Sequence, residues 1–249
     1  MTEYPVGATA TTFEVIDALA TLERAGVTQL ANRLGHSKGS IHNHLATLER
    51  LGYVVREDGR YRLGLRFLEL GTGVRAPDSL YCVARPEIDR LANASGETAS
   101  LVVEENGEAV FVYRAGDDAD SMLRDGSRVP LYACAAGKAI LAHRECELVK
   151  SLLSGDVPMP TERTIATRTS LIQELQTVRD QGLAFDRGEL ASDRRAVAAA
   201  ILTDDGRAVG AVTISGTAPS MSGKRLEEDM PGLVLSTTNN ITFEQISNE

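Results

Sequence analysis

Three histidines lie close together near the N-terminus, at His36, His42 and His44. Because imidazole nitrogens bind zinc, such a group raises the question of a metal site. His42 and His44 are two residues apart, however, and side chains at that spacing on a helix point in different directions. We therefore expect no metal site in this segment.

Cys134 and the pair Gly137-Lys138 are the other residues that resemble parts of a catalytic site. A cysteine becomes a nucleophile when a base lies beside it, and the nearest histidine in the sequence is His143. Gly137-Lys138 lacks the GxxxxGK[ST] pattern of a phosphate-binding loop. Because no complete set of nucleophile, base and orienting group is present, we expect a buried structural thiol, no catalytic activity and no cofactor.

The polar residues near the N-terminus have the types and spacing of a DNA-binding surface. Ser37 precedes a segment that runs to about Leu51, in which Ile41, Leu45 and Leu48 form one apolar helical face. The opposite face carries small or hydrogen-bonding side chains, which suit base edges and phosphates. The residues of this segment and of the preceding helix that we expect to contact DNA are Thr28, Ser37, Lys38, Gly39, Ser40, His42, Asn43 and Thr47.

Two further helices are expected to pack against the helix that carries this surface and to position it. Residues 12–24 are predicted to form an amphipathic helix that ends at Gly26, and Thr28 is the expected N-cap of a short second helix. Gly35 then separates this helix from the third. The apolar residues that define the first helix are Phe13, Ile16, Leu19, Ala20 and Leu22. Helix, helix, glycine turn and helix is the order of a DNA-binding helix-turn-helix.

A β-hairpin is predicted directly after the third helix. Two β-prone runs between Tyr53 and Leu63 flank Asp58-Gly59, a strong two-residue turn signal. A hairpin in this place forms the wing of a winged helix. Its arginines, at Arg56, Arg60 and Arg62, are expected to contact the DNA backbone or minor groove.

The charge of the chain is unevenly distributed. The 249 residues have a net charge of −9, which by itself argues against a nucleic-acid-binding protein. Residues 1–75, however, carry nine Arg or Lys and eight Asp or Glu, whereas the remaining 174 carry 17 and 27. The acidity therefore belongs to the second part of the chain. Four lysines against 22 arginines, in an acidic protein, are also typical of salt-adapted organisms, although GC-rich coding equally favours arginine.

Other features of the composition indicate a cytoplasmic protein. No apolar run is long enough to span a membrane, and the N-terminus lacks the pattern of a signal peptide. The three cysteines form no CxxC motif, which predicts reduced thiols.

The second part of the chain has the pattern of an α+β domain. Leu65–Arg75 is predicted as a linker helix, which gives domains at 1–75 and 76–249. Residues 221–247 are expected to form a helix interrupted at Pro231-Gly232. The other expected elements are helices at 80–94, 135–143 and 169–181 and strands at 98–104, 109–114, 120–124, 195–203 and 207–215. Hairpins that alternate with helices predict a central antiparallel sheet.

A run of small residues suggests a site for a small molecule. Ala135, Ala136, Gly137 and Ala139 would let a ligand approach the backbone at the start of a helix, where a carboxylate or phosphate is favoured. The same residues would equally permit tight packing of the helix on the sheet. From the residues alone, both interpretations stay open.

Several stretches resemble the IclR family of transcription regulators, and within it archaeal, haloarchaeal-like members. Leu30–Leu48 and Gly59–Gly71 are similar to that family's recognition helix, wing strand and linker helix. Val129–Ala142 and Arg195–Ile201 are similar to segments of its effector-binding domain, which has a GAF-like fold. The resemblance covers about residues 12–216.

The chain departs from the family at several positions. Bacterial members tend to have arginine near Asn43 and an apolar residue near His44, so the operator sequence stays open. The family often has cysteine where Ala196 stands, proline at Ala200 and glycine at Asp193. These departures leave the identity of the effector open.

The resemblance implies a winged helix-turn-helix joined by a linker helix to a GAF-like α+β effector-binding domain. It implies a DNA-binding transcription regulator controlled by a small carboxylate or another metabolite, acting as a homodimer or tetramer on a near-palindromic operator. The alternative is a regulator whose second domain only oligomerises. The residues expected to contact the effector are Leu131, Tyr132, Cys134, Ala136, Gly137, Asp186, Glu189, Asp193, Ala196 and Ser215.

Overall fold

The computed structural model describes residues 4–75, 79–117, 123–144, 149, 157–165 and 167–248. Contacts within the chain divide it into two compact units, Met1–Ala76 (unit 1) and Pro77–Glu249 (unit 2). The division lies beside the boundary expected at residues 75 and 76.

Unit 1 consists of helices packed against a two-stranded antiparallel sheet. Its elements are α1 (Gly7–Leu22), α2 (Val27–Leu34), α3 (Lys38–Arg50), β1 (Val54–Glu57), β2 (Arg60–Leu63) and α4 (Arg66–Arg75). Leu19, Leu30, Ile41 and Leu45 are fully buried, and Tyr61 joins the hairpin to this core. The apolar face predicted for the third helix therefore lies inside the unit.

Local turn chemistry explains where α3 and the hairpin begin. Gly35 ends α2 in the left-handed conformation, with φ at 70°, and its N–H donates to the carbonyl of Ala31. The Ser37 hydroxyl caps α3 by accepting the N–H of Ser40 at 3.1 Å. Asp58 and Gly59 have φ of 50° and 76°, as a type I′ turn requires, which confirms the predicted hairpin.

Two expectations about the first helices are wrong. Gly26 occupies the N-cap position of α2, so Thr28 lies inside the helix and does not cap it. α1 begins at Gly7 rather than at residue 12, and Phe13 on it is 58% exposed. The buried side of α1 is formed by Val15 and Leu19, and Phe13 lies about 200° around the helix from Val15.

Unit 2 is an α+β unit built on one six-stranded antiparallel sheet, as expected from the alternation of hairpins and helices. The strand order is β5-β4-β3-β8-β7-β6. The elements are α5 (Ser79–Ser95), β3 (Thr98–Glu105), β4 (Glu108–Ala115), β5 (Arg128–Pro130), α6 (Ala135–Leu141), α7 (Arg168–Gln181), β6 (Ala184–Asp186), β7 (Arg194–Leu202), β8 (Ala208–Thr217) and α8 (Met230–Asn248).

The two faces of this sheet bury different layers. Along β7, Val197 and Ile201 pack against α5 and α8, whereas Ala196 and Ala198 face α6 and α7. This alternation follows from the two-residue period of a strand. Because α6 packs against a row of alanines, it can lie close to the sheet.

Some features of unit 2 differ from expectation. β5 and β6 are each three residues long, too short to leave a periodic signal in the sequence. The interruption expected at Pro231-Gly232 takes the form of a change in helix type just before it, because a π-helical turn at Arg225–Asp229 leads directly into α8, in whose first turn Pro231 lies. Of the strand expected at 120–124, residues 120–122 lie outside the described residues, and Leu123 and Arg124 are not in a strand. No helix in the described part of the chain is long and apolar enough to cross a membrane.

Candidate functional site

One side of α3 presents a continuous polar surface. Ile41, Leu45 and Leu48 point into the core of unit 1, so the other side of the helix is left to solvent. The structure brings nearly all the predicted DNA contacts of this segment to that side. Exposed there are Ser37, Lys38, Gly39, His42, Asn43 and Thr47, with Ser40 partly buried. Thr28 is exposed on α2.

Two histidines of unit 1 are engaged within the unit. The Nδ1 atom of His44 lies 2.9 Å from the hydroxyl of Thr12, so this ring packs on α1. The Nε2 atom of His36 lies 3.2 Å from a carboxylate oxygen of Glu14. His42 is therefore the histidine of this group that is presented on the exposed side of α3.

The three arginines of the hairpin have different surroundings. Arg62 donates from Nε to Glu57 at 3.0 Å, and this hydrogen bond is the main reason that the pKa of Glu57 is lowered. Arg56 lies with its guanidinium 5.7 Å from the centroid of the Tyr61 ring. Arg60 is exposed beside the turn. The charge of Arg62 is thus partly neutralised within the hairpin.

Unit 2 contains a cavity of about 310 Å³ between the sheet and the start of α6. Its volume lies at the lower end of the range for small-molecule sites. The described residues that line it are Phe111, Leu123, Cys134, Ala135, Ala136, Asp186, Leu190, Ala191, Asp193, Arg194, Ala196, Thr213 and Ser215.

Six of the ten residues predicted to contact an effector line this cavity, namely Cys134, Ala136, Asp186, Asp193, Ala196 and Ser215. The other four have different neighbours. Leu131 is fully buried in the core, and Tyr132 donates its hydroxyl to the carbonyl of Pro158 at 2.6 Å. Glu189 is bonded to Lys138. A Cβ atom on Gly137 would lie 2.1 Å from the carbonyl oxygen of Leu131.

The two interpretations of the small residues therefore apply at different positions. At Gly137, the close approach of the Leu131 backbone requires glycine for packing. Ala135 and Ala136 instead line the cavity.

Part of the cavity lining was not predicted from the sequence, for instance Phe111, Leu123 and Thr213. Thr213 could have been predicted from Ser215, because it lies two residues before Ser215 on the same strand and its side chain must lie on the same face of the sheet. The sequence contains no comparable pattern for Phe111 and Leu123, since only the tertiary structure brings them to the cavity.

Asp186 is the buried charged group of the cavity. Its side chain accepts backbone N–H groups from Gly188 at 2.9 Å and Glu189 at 2.6 Å. Burial raises the pKa of Asp186, and these N–H groups oppose the rise. Burial also raises the pKa of the Cys134 thiol to about 12, so this thiol is protonated near neutral pH.

A buried lysine holds the turn that contains Asp186. The Nζ atom of Lys138 on α6 donates to both carboxylate oxygens of Glu189, at 2.7 and 2.8 Å, and to Glu174 on α7 at 3.1 Å. Lys138 is fully buried. Burial raises the pKa of Glu189, and the charge of Lys138 opposes the rise. These bonds join the wall of the cavity to two helices.

Comparison with known proteins finds matches to both units. The model of the IclR helix-turn-helix domain matches residues 9–58, and that of the bacterial transcriptional regulator IclR C-terminal domain matches residues 78–242. The HTH-type transcriptional regulator ArcR of the haloarchaeon Halobacterium salinarum is 32% identical over 237 residues, 91% of this chain and 89% of ArcR.

Solved structures match nearly the whole chain. A transcriptional regulator from Rhodococcus sp. RHA1 has a TM-score of 0.83 at 28% identity, covering 98% of this chain and all of the other. An IclR homolog from Microbacterium hydrocarbonoxydans, solved in complex with 4-hydroxybenzoate, has a TM-score of 0.76 at 20% identity, covering 95% and 99%.

Proposed function

The chain belongs to the IclR family of DNA-binding transcriptional regulators, and we propose that a small molecule bound in the cavity of unit 2 sets its affinity for one specific operator. The observation that carries this proposal is the cavity itself. It is lined by both apolar and polar groups and contains a buried carboxylate, Asp186. In the family, the Microbacterium homolog binds 4-hydroxybenzoate, which supports a ligand of metabolite size. A small carboxylate or another metabolite is the proposed class.

Unit 1 is proposed to bind DNA through the exposed side of α3 and through the hairpin. We assign base contacts to His42, Asn43 and Thr47, because their side chains are exposed on one side of a helix whose other side is buried. Backbone contacts are assigned to Lys38 and Arg60. Since residues 1–75 have almost no net charge, each protomer is expected to make few phosphate contacts.

Useful affinity then requires at least two protomers. A homodimer or tetramer would place two recognition helices about 34 Å apart on a near-palindromic operator. The ligand would act by favouring one arrangement of the protomers over another, through the linker helix α4, which ends the domain at 1–75. We also expect the protein to act in the cytoplasm, where its DNA is.

DNA binding is tested by fluorescence anisotropy with the promoter region of the protein's own gene and with shuffled DNA of the same composition. We expect tighter binding to the promoter fragment, and weakening of both complexes as salt rises. Equal affinity for the two DNAs at every salt concentration would contradict a specific operator.

Control by a ligand is tested separately from DNA binding. A true ligand must raise the melting temperature of the protein and change the promoter affinity. A ligand that stabilises the protein without changing promoter affinity would contradict regulation. If no small molecule stabilises the protein while promoter binding persists, unit 2 serves only for assembly, which is the alternative function.

A further inference from the structure

We propose that the cavity of unit 2 selects a small molecule with several hydroxyl groups, of the polyol or sugar class, and that Asp186 accepts a hydrogen bond from one of those hydroxyls. This inference rests on the proposed function, because it names the ligand class of the same site. It departs from the simple carboxylate that the small-residue segment suggested.

The charges on the cavity wall disfavour a simple carboxylate. Among the described lining residues, Asp186 and Asp193 are acidic and Arg194 is basic. Burial raises the pKa of Asp186, but backbone N–H groups and the charge of Lys138 favour its ionised form. Because Asp186 is only 4% exposed, a carboxylate bound next to this form would meet a like charge with little screening by water. A ligand that donates hydrogen bonds without carrying charge avoids this repulsion. The two acidic residues against one arginine would also attract a cation, so cationic compounds form a separate arm of the test.

Asp186 has capacity to accept a further hydrogen bond. Its carboxylate accepts the N–H groups of Gly188 and Glu189 on one oxygen and a further backbone hydrogen bond from Leu190, all from the segment that follows it. Two carboxylate oxygens offer about four lone-pair sites, so about one site is left for a ligand hydroxyl. The turn is held by the bonds between Lys138 and Glu189, which keep the Asp186 carboxylate in place before a ligand arrives.

Hydroxyl groups on the sheet complement such a ligand. Thr213 and Ser215 on β8 line the cavity. Thr213 donates its hydroxyl proton to the carbonyl of Val197 at 3.1 Å, so its oxygen is left to accept a bond. Ser100, which pairs with Thr213 in the register of β3 and β8, is fully buried and is not among the described residues that line the cavity. A ligand hydroxyl, which donates as well as accepts, matches the remaining lone pair of the Thr213 oxygen.

Size and apolar lining fit the same class. The cavity of about 310 Å³ equals the volume of roughly ten water molecules. It therefore has room for a metabolite of on the order of ten non-hydrogen atoms. Phe111, Leu123 and Leu190 supply apolar surface for the C–H groups of such a ligand.

The test is isothermal titration calorimetry of the full chain with three groups of compounds. The first contains glycerol, D-xylose and D-glucose, the second propionate and benzoate, and the third putrescine. We expect binding from the first group, with affinity reduced at least tenfold by Asp186→Asn and also reduced by Thr213→Val. Asp204→Asn, in an exposed turn of unit 2, is the matched control and is expected to bind as the native chain does.

Each result decides between the inferences. Circular dichroism first establishes whether each variant is folded. If Asp186→Asn does not fold, the comparison of Thr213→Val with the native chain still tests the inference. Binding only by carboxylates or by putrescine would overturn the hydroxyl inference and leave ligand control standing. Hydroxylated compounds that bind both variants as tightly as the native chain would also overturn it. If no compound binds, the hydroxyl inference fails, while melting-temperature measurements with other small molecules and the promoter assay still report on ligand control and on DNA binding.

Discussion

Replacing Lys138 by methionine is expected to destabilise unit 2 strongly. The Nζ atom of Lys138 makes three charge-assisted hydrogen bonds, two to Glu189 and one to Glu174. Methionine fills a similar volume but removes the positive charge. The carboxylate of Glu189, in a residue only 7% exposed, is then left without its partner.

The size of the effect follows from the burial of the pair. Breaking a buried ion pair by removing one partner costs about 3–5 kcal/mol, because an uncompensated charge remains in the interior. This is a large part of the roughly 5–15 kcal/mol by which a typical protein is stable. The double variant Lys138→Met/Glu189→Leu removes both charges, so we expect it to recover most of the loss.

The assay is urea unfolding followed by circular dichroism, with Arg187→Gln as the matched control. Arg187 pairs with Glu227 at 2.9 Å, but both side chains are about half exposed, at 53% and 49%. Loss of such a surface pair is expected to cost less than about 1 kcal/mol. The contrast between the two variants therefore isolates the effect of burial.

The pH dependence gives an independent check. Without Lys138, the pKa of Glu189 in the folded variant should rise further, since burial raises it and the lysine opposes the rise. Above the pKa of the unfolded chain, the folded variant then binds more protons than the unfolded one, so its stability falls as pH rises. The cost of Lys138→Met should be smaller at pH 5 than at pH 8. A cost equal to that of Arg187→Gln, or the same cost at both pH values, would refute this account.

Three other predictions concern packing, reactivity and DNA binding. Gly137→Ala should lower the stability of unit 2 by about 1–3 kcal/mol in thermal unfolding, because the added Cβ would clash with the backbone of Leu131. Gly232→Ala should be neutral or slightly stabilising, because the added Cβ would have no atom of the described residues outside its own helix within 4 Å. In a variant whose other two cysteines are serine, Cys134 should react with a maleimide at pH 8 only after denaturation. With a pKa of about 12, only about one thiol in ten thousand is ionised at that pH. Rapid labelling of the folded variant would contradict this prediction. Asn43→Ala should relax preference at particular bases, whereas Arg60→Ala should weaken binding to promoter and shuffled DNA alike; equal effects of both variants on both DNAs would contradict these roles.

The DNA-binding unit could be predicted largely from the sequence because its signals are local. Gly35, Ser37 and the turn Asp58-Gly59 each need only a few neighbouring residues to fix the backbone. The periodic residues Ile41 and Leu45 likewise define the buried side of α3 by their spacing alone. Phe13 shows the limit of such local patterns, since it is apolar but is 58% exposed on α1 in the described part of unit 1.

The cavity was predicted only in part, since its residues come from separate segments. The small residues of α6 could be recognised in the sequence, and the family resemblance pointed to Asp186 and Ser215. Thr213 joins them because strand alternation turns it to the same face, while Phe111 comes from a strand about a hundred residues away.

The sequence by itself determined the order of the elements, the turn positions and the partition of charge, because each depends on residues close together in the chain. Only the tertiary structure decided which groups meet in the interior. Lys138 and Glu189 are 51 residues apart, and nothing in their local sequence shows that burial makes them partners. The helices α6 and α7 and the turn after β6 must pack before this pair forms, and the pair in turn holds Asp186 at the cavity.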